Sequence, residues 1–251
     1  MRKKTTSQRK NSSRSVCVGP VHEARLADEI ISMGADQISF LLQPHPLFAQ
    51  NQTIEYKSAL SIVNSYRRCN TRIKFGIIAS PEQNKEDLTT ACKSGLFDFI
   101  EFDYRFFKKT FFDQSADEVE AEVRISGFSI DEDDDPAWPN QLAASYGKNA
   151  DSCVLWLLPN AEHPFSWILE EAGEYAEDIT IQDLKTILSG TRWLLAADWS
   201  SEVRREDFIN SLPHNTTLVA YLGDHETPSF FPVLLPIRSL SNALPAIISR
   251  K

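Results

Sequence analysis

The sequence lacks the features that mark several large classes of protein. No run of about 18 apolar residues occurs, so we expect no membrane span. The basic amino terminus continues into polar residues as far as Ser15, without the apolar stretch of a secretory signal, so we expect a cytoplasmic protein. No P-loop, GxGxxG, HExxH or GxSxG motif is present, and the sequence therefore predicts neither a cofactor nor a metal site.

Cysteine is also scarce. The four cysteines lie far apart and without CxxC spacing: Cys17, Cys69, Cys92 and Cys153. Such spacing excludes the common zinc and disulfide frameworks and is typical of reduced thiols in a cytosolic protein. We therefore interpret the cysteines as packing residues.

The charge is unevenly distributed. The first 15 residues hold six Lys and Arg and no acid, whereas the remainder holds 20 basic and 35 acidic residues, a net charge of −15. A body this acidic repels nucleic acid, so we expect none as a partner. Residues 1–15 are predicted to form a disordered basic tail that could contact a protein partner.

One pattern occurs twice between Val16 and Asp103. A short apolar run is followed by a polar helical stretch, a hinge that begins with glycine, and a second apolar run; the hinges are residues 34–36 (GAD) and 95–98 (GLFD). Strands that alternate with helices in this way predict right-handed crossovers and a parallel sheet.

The remaining sequence continues the alternation. Eight strands are predicted, and they begin near Val16, Gln37, Ile73, Phe99, Glu122, Cys153, Trp193 and Thr217. Helices are predicted at residues 22–33, 81–94, 138–146, 165–176, 181–188, 201–212 and 240–248. Eight such units favour a closed (β/α)₈ barrel, a TIM barrel formed by residues 16–251 as one domain, over an open doubly wound sheet.

In their order and spacing these segments resemble phosphoribosylanthranilate isomerase, the barrel enzyme of tryptophan synthesis. The resemblance is carried by residues 18–19 (VG), 34–40 (GADQISF), 74–78 (KFGII), 96–102 (LFDFIEF), 150–155 (ADSCVL), 165–167 (FSW) and 194–199 (LLAADW). It implies an Amadori rearrangement of an aminoaldose to an aminoketose, with a small phosphosugar as the ligand.

The family's acid and base do not match this sequence. The reaction needs both groups at the carboxyl-terminal ends of the first and sixth strands. The family's base is a cysteine, and Val18 stands at its position; Cys17 is one residue earlier, and strand alternation predicts that its thiol faces the other way. The family's acid is an aspartate, and Trp156 stands at its position, where an indole cannot donate the proton.

The family's substrate contacts are also replaced. Its phosphate lies on backbone N–H groups of Gly-rich turns after strands seven and eight. Here those turns read 196–199 (AADW) and 220–224 (AYLGD), where Asp198 would repel phosphate and Gly223 is the remaining glycine. The family's Arg after strand two, which contacts the anthranilate carboxylate, has no counterpart in residues 43–48 (QPHPLF).

Several polar residues are candidates for a new site. His45 lies between two prolines at the predicted barrel mouth, where it could act as an acid, a base or a ligand, or simply be exposed to solvent. Asp103 and Arg124 could form a polar pair in the interior, either a salt bridge or a ligand contact. The acidic run 131–135 could bind a cation or form a solvated loop, and the aromatic and basic stretch 104–112 could stack on nucleic acid or pack against the barrel.

Two hypotheses about function follow. The chain is either a divergent isomerase whose acid and base have moved, to Cys17 and to Asp103 or Asp198, or a non-catalytic barrel that binds a ligand or a protein partner. His45, Arg124 and Gly223 are the substrate-binding candidates.

Overall fold

The computed structural model describes most of the chain. The described residues are 14–69, 71–81, 88, 90–91, 93–105, 120–131, 134–146, 149–158, 165–169, 179–190, 192–223 and 234–248. Most of the predicted tail and the stretch 106–112 fall outside them. Arg14 and Ser15, which the sequence assigns to the tail, contact the barrel: the Arg14 guanidinium donates to Leu212 O and Pro213 O, and Ser15 Oγ donates to Asp36.

The predicted closed parallel barrel is confirmed. The strands are β1 Val16–Gly19, β2 Gln37–Leu41, β3 Lys74–Ala79, β4 Phe99–Asp103, β5 Glu122–Ile130, β6 Ser152–Leu157, β7 Trp193–Ala196, β8 Thr217–Gly223 and β9 Leu234–Pro236. Each of β1 to β8 pairs with the next in parallel, and β1 pairs with β8 to close the cylinder. The short β9, which the sequence did not predict, pairs with the end of β8.

Helices surround the strands. The α-helices with defined bounds are α1 Ala24–Ser32, α2 Tyr56–Arg68, α3 Trp138–Tyr146, α4 Ser166–Leu169, α5 Ile181–Gly190, α6 Arg205–Ser211 and α7 Leu240–Ile248. The 13-residue α2 was not predicted, although Ala59, Ile62 and Val63 form its buried face at helical spacing. Helix α6 begins four residues later than predicted, and the predicted helices 81–94 and 165–176 lie partly outside the described residues. No helix among the described residues has the length and apolar character needed to cross a membrane.

Aspartates at the beginnings of strands explain the repeated hinge. Asp36, just before β2, accepts the Val16 N–H at 2.8 Å; Asp98, before β4, accepts the Phe75 N–H at 2.8 Å. Asp151, before β6, accepts the Val123 N–H at 2.8 Å. Each carboxylate thus satisfies a backbone donor at the start of the preceding strand and fixes the offset between the two strands.

Alternate strand residues face two different cores. The larger core contains strand residues such as Val18 and Ile100 together with the buried faces of the helices. The smaller core lies inside the barrel and contains Cys17, Phe99 and Val154. Because side chains alternate along a strand, Glu101 and Asp103 share the inward face of β4 with Phe99.

Candidate functional site

The carboxyl-terminal end of the barrel, where barrel enzymes place their active sites, is covered by the chain itself. The covering segment is the β2–α2 loop, residues 42–55. Ser80 Oγ donates to Pro44 O, Gln52 Nε2 donates to Leu222 O at 2.9 Å, and the Ile54 N–H donates to Leu41 O at 2.9 Å. These bonds attach the loop to β2, β8 and the end of β3, so it lies across the mouth.

Apolar and aromatic side chains fill the space beneath this loop. The Phe48 ring lies 5.9 Å from that of Tyr221, and Trp156 meets Tyr221 edge to face at 6.0 Å. Leu47, Leu158 and Leu234 pack against the same cluster. All of these are protein side chains, so in the described part of the chain the space directly beneath the β2–α2 loop is occupied by the protein itself.

His45 is buried in this loop, with 4% of its surface exposed, so its interpretation as a solvent-exposed loop residue is wrong. Its Nδ1 accepts the Leu47 N–H at 3.2 Å. Burial lowers the pKa of His45 to about 4; nearby Asp103 opposes the shift, and Arg105 adds to it. The structure therefore brings the candidates His45 and Asp103 into one neighbourhood, with the imidazole neutral near pH 7.

Asp103 pairs with Arg105, not with Arg124, so the predicted interior pair is wrong. Arg105 Nε lies 2.9 Å from Asp103 Oδ1, and Arg105 Nη2 lies 2.5 Å from Oδ2, which makes a two-point ion pair at the mouth. The same guanidinium sits 5.9 Å from the centre of the Trp156 ring. The register between β4 and β5 explains the error. Asp103 is paired with Ser126 across the two strands, whereas Arg124 is paired with Glu101.

Glu101 is a buried acid that was not among the candidates. It is 2% exposed, and its Oε1 accepts a short hydrogen bond from the Tyr221 hydroxyl. Burial raises the pKa of Glu101, although the Tyr221 bond and Arg124 oppose this shift. Burial, with the nearby Glu101, also raises the pKa of Tyr221 well above its usual value. The sequence does contain a signal for Glu101: it is an acidic residue within an otherwise apolar strand, two residues before Asp103.

Cys17 and Val18 face opposite ways, as strand alternation predicts, but the inward residue is Cys17: its thiol faces the barrel interior and Val18 faces the helices, so the assignment of Val18 to the site position is wrong. The next inward position of β1 is Gly19, level with Tyr221, so β1 presents no side chain at the mouth. Cys17 Sγ lies one layer deeper, 3.9 Å from Arg124 Nη1. Burial raises the pKa of the Cys17 thiol to about 12, and Arg124 only partly opposes this, so the sulfur remains protonated at neutral pH.

Arg124 lies toward the amino-terminal end of the barrel. Its guanidinium is centred 3.5 Å from the middle of the Phe99 ring, a close cation–π contact. Its Nη2 donates to Gln37 Oε1 at 2.8 Å, and its Nε donates to Glu122 Oε1 at 3.1 Å. These contacts separate Arg124 from the covered mouth, where a barrel substrate would bind.

The two remaining candidates follow β7 and end β8. Asp198 Oδ1 accepts the Ser200 N–H at 3.0 Å and the Ser200 hydroxyl at 2.5 Å, so the carboxylate stabilises a local turn. A Cβ added at Gly223 would lie 2.5 Å from Leu234 Cδ1 and 2.7 Å from Leu234 Cβ. Glycine at position 223 therefore makes room for β9, which pairs with the end of β8.

The acidic run 131–135 is described only at Asp131, Asp134 and Asp135. Asp134 Oδ2 accepts the Asp131 N–H at 2.9 Å, and Asp135 Oδ1 accepts the Ala137 N–H at 2.8 Å. Within the described ranges no three His, Cys, Asp or Glu side chains converge as metal ligands would. The visible carboxylates serve as turn and helix-start acceptors.

Comparison with known proteins identifies the fold. No family model and no curated protein matches the chain. Phosphoribosylanthranilate isomerase from Thermus thermophilus superimposes with a TM-score of 0.55 at 16% identity, covering 93% of this chain and 96% of that one. A phosphoribosylanthranilate isomerase in complex with reduced 1-(o-carboxyphenylamino)-1-deoxyribulose 5-phosphate gives a TM-score of 0.58 at 12% identity, covering 94% of this chain and 96% of that one.

A different enzyme superimposes equally well. Type I 3-dehydroquinate dehydratase from Clostridium difficile has a TM-score of 0.55 at 11% identity, covering 93% of this chain and 92% of that chain. Since the likeness extends to enzymes with unrelated reactions, it describes the scaffold rather than the chemistry. By both its own strand pairing and these comparisons, the chain is a (β/α)₈ TIM barrel.

Proposed function

We propose that this chain is a barrel of the phosphoribosylanthranilate isomerase lineage that has lost catalysis and acts by binding. The observation that carries the proposal is the filled mouth, where Phe48, Trp156 and Tyr221 occupy the place of a substrate. Catalysis in a barrel needs an open site at this end, with positioned acid and base groups.

The state of the inward-facing groups supports the same conclusion. Cys17 is held as a thiol, Glu101 and Tyr221 bond to each other, and Asp103 is held by Arg105. General acid–base catalysis typically contributes ~10²–10⁴-fold to a rate. Among the described residues no acid or base stands where the family places its own, and β9 pairs with the end of β8, so we expect no useful turnover.

A cavity beside the mouth supports binding. It has a volume of about 390 Å³ and lies outside the barrel, between the β2–α2 loop and Thr90. Leu42, Pro44 and Ile54 give it apolar walls, and Glu55 supplies a carboxylate. Such a mixture of an apolar wall and a few polar groups is typical of small-molecule sites, which are commonly ~300–1,000 Å³.

The relocated isomerase remains the second candidate because Cys17 faces the interior and His45 lies near Asp103. One experiment separates the two. The gene is expressed in a tryptophan-requiring bacterial strain that lacks its own phosphoribosylanthranilate isomerase, and growth without tryptophan is measured. We expect no growth, with soluble protein verified by immunoblot. Growth that disappears on Cys17→Ala or Asp198→Asn, but persists in Cys69→Ala, would establish the isomerase instead.

A further inference from the structure

The amino-terminal end of the barrel, opposite the covered mouth, contains a small polar cavity of about 80 Å³. Its wall includes Gln37 at the start of β2, Glu122 and Arg124 at the start of β5, and Thr217 at the start of β8. Arg192, just before β7, also lines it and has 63% of its side chain exposed, so it stands at the solvent side.

Arg124 is the buried donor of this cavity. Its side chain is 1% exposed, and within the described residues its Nη1 has one partner, the Cys17 sulfur at 3.9 Å. A thiol is a weak acceptor, and a buried guanidinium nitrogen without a good acceptor is costly. An oxyanion that reached this nitrogen would replace a weak contact with a charge-assisted hydrogen bond.

Three basic side chains surround one carboxylate at this end of the barrel. Three cations share the Glu122 carboxylate: Arg124 Nε at 3.1 Å, Arg192 Nη2 at 3.6 Å and Lys74 Nζ at 3.9 Å. Although burial opposes it, the neighbouring Arg124 lowers the pKa of Glu122, so the carboxylate is ionised and supplies one negative charge. Among these four side chains positive charge exceeds negative charge by two, and the strand-entry carboxylates Asp36, Asp98 and Asp151 lie at the same end of the barrel.

We propose that this cavity binds a small free oxyanion, such as inorganic phosphate or sulfate, between the guanidinium groups of Arg124 and Arg192. Thr216 and Thr217 supply hydroxyl donors and Asn215 an amide donor on the same wall. Charge-assisted hydrogen bonds from guanidinium to oxyanion are among the strongest available to a protein. The site is independent of the proposed function, because it lies at the other end of the barrel.

The size of the cavity selects the ligand. One water needs roughly 10–15 Å³ of the same kind of volume, so 80 Å³ accommodates several waters or one tetrahedral anion. It does not accommodate a sugar or a nucleoside. The acidic remainder of the chain disfavours anions elsewhere on the surface, so binding should be saturable at a single site.

The test measures phosphate binding to the full-length protein by isothermal titration calorimetry, at fixed ionic strength set with a bulky organic sulfonate. Arg192→Gln removes one guanidinium at the exposed edge, where folding is least at risk, and Arg25→Gln removes an equal charge from the exposed start of α1, at the opposite end. We expect one saturable site in the wild type, affinity reduced about tenfold or more in Arg192→Gln, and no change in Arg25→Gln.

Three outcomes would overturn the proposal. They are the absence of saturable binding in the wild type, equal weakening by Arg192→Gln and Arg25→Gln, and binding of glycerol phosphate as tight as that of phosphate. The last result would assign the site to the phosphate group of a larger molecule. Melting curves without phosphate confirm that each variant is folded.

Discussion

His45 is the residue whose chemistry burial changes most directly. The neutral ring accepts the Leu47 N–H and lies tilted against Phe48, with ring centres 5.4 Å apart, so it helps to hold the β2–α2 loop over the mouth. Charging the ring would place a cation beside Phe48 and Arg105 with little access to water. The residue is therefore better suited to holding the loop than to transferring protons near pH 7.

Replacing His45 with Asn should reduce the acid sensitivity of the fold. The folded-state pKa is about 4 and the ordinary value is 6.5, so the unfolded chain binds more protons between these values. The wild type must lose stability as the pH falls from about 6.5 to about 4, by up to roughly 3 kcal/mol. Urea unfolding at pH 7 and pH 4.5 should show a smaller loss in His45→Asn. Equal losses would contradict the burial of a neutral ring.

Replacing Glu101 with Gln should have the opposite pH dependence. Because burial raises the pKa of Glu101, its protonated form contributes stability that is present below the ordinary value of 4.5 and is lost as the pH rises through the folded-state pKa. Glu101→Gln keeps an acceptor for the Tyr221 hydroxyl and does not ionise. Its melting temperature should rise relative to wild type between pH 5 and pH 8. The exposed Glu202→Gln serves as control, and a pH-independent difference for Glu101→Gln would refute the argument.

At the scale of elements, apolar runs made all eight barrel strands predictable. Parallel strands in a closed barrel are buried on both faces, so runs such as Ser152–Leu157 stand out against polar helices. The sequence analysis did not predict α2 or β9, because neither stands out from its neighbours by such a contrast between apolar and polar residues. Helix α2 follows a loop without an apolar run, and β9 is three residues long and ends in proline.

The strand-entry aspartates give a prediction at this scale. Asp151→Ala removes the acceptor of the Val123 N–H, while Asp151→Asn retains an oxygen at the same place. A hydrogen bond to a charged group contributes about 1.5–3 kcal/mol. Asp151→Ala should therefore lower the free energy of unfolding by about that amount, and Asp151→Asn by less. Asp207→Ala, with a 71% exposed side chain, is the control and should change it by under about 0.5 kcal/mol.

The site was less predictable than the fold because its contacts join distant residues. Tyr221 and Glu101 are 120 residues apart, and Gln52 and Leu222 are 170 apart. Nothing local in residues 42–55 indicates that the loop will cross the mouth. The inward-facing residue of β1 was assigned wrongly for another reason. An offset of one residue along a strand moves every side chain to the opposite face, so Cys17 faces inward where Val18 was expected.

At the scale of the whole molecule, the two ends of the barrel have exchanged their usual features. In a barrel enzyme the polar cavity lies at the carboxyl-terminal end and the packed end is the amino-terminal one. The described part of the carboxyl-terminal end, which usually carries the chemistry, contains packed aromatic rings and paired acids, whereas the amino-terminal end has a polar cavity. In barrel proteins the amino-terminal end ordinarily serves stability. This reversal supports the proposal that the barrel acts by binding.

Closure of the barrel also depends on residues from the two ends of the chain. Val16 on β1 pairs with Leu218 on β8, and just before β1 the Arg14 guanidinium donates to Pro213 O at 2.9 Å and to Leu212 O at 3.0 Å. Arg14 is 6% exposed, so these bonds form away from water. Arg14 therefore connects the beginning of β1 to the turn that precedes β8.

Arg14→Ala should consequently destabilise the whole barrel rather than loosen one end. Two carbonyl groups lose a charged donor, and the free energy of unfolding should fall by about 2–3 kcal/mol. Arg72→Ala, at an exposed position before β3, removes the same charge and should change it by under about 0.5 kcal/mol. Urea unfolding followed by both tryptophan fluorescence and circular dichroism provides the measurement. Because closure involves every strand, the two probes should report one transition at a lower midpoint; two separate transitions would show that β1 detaches independently of the remaining barrel.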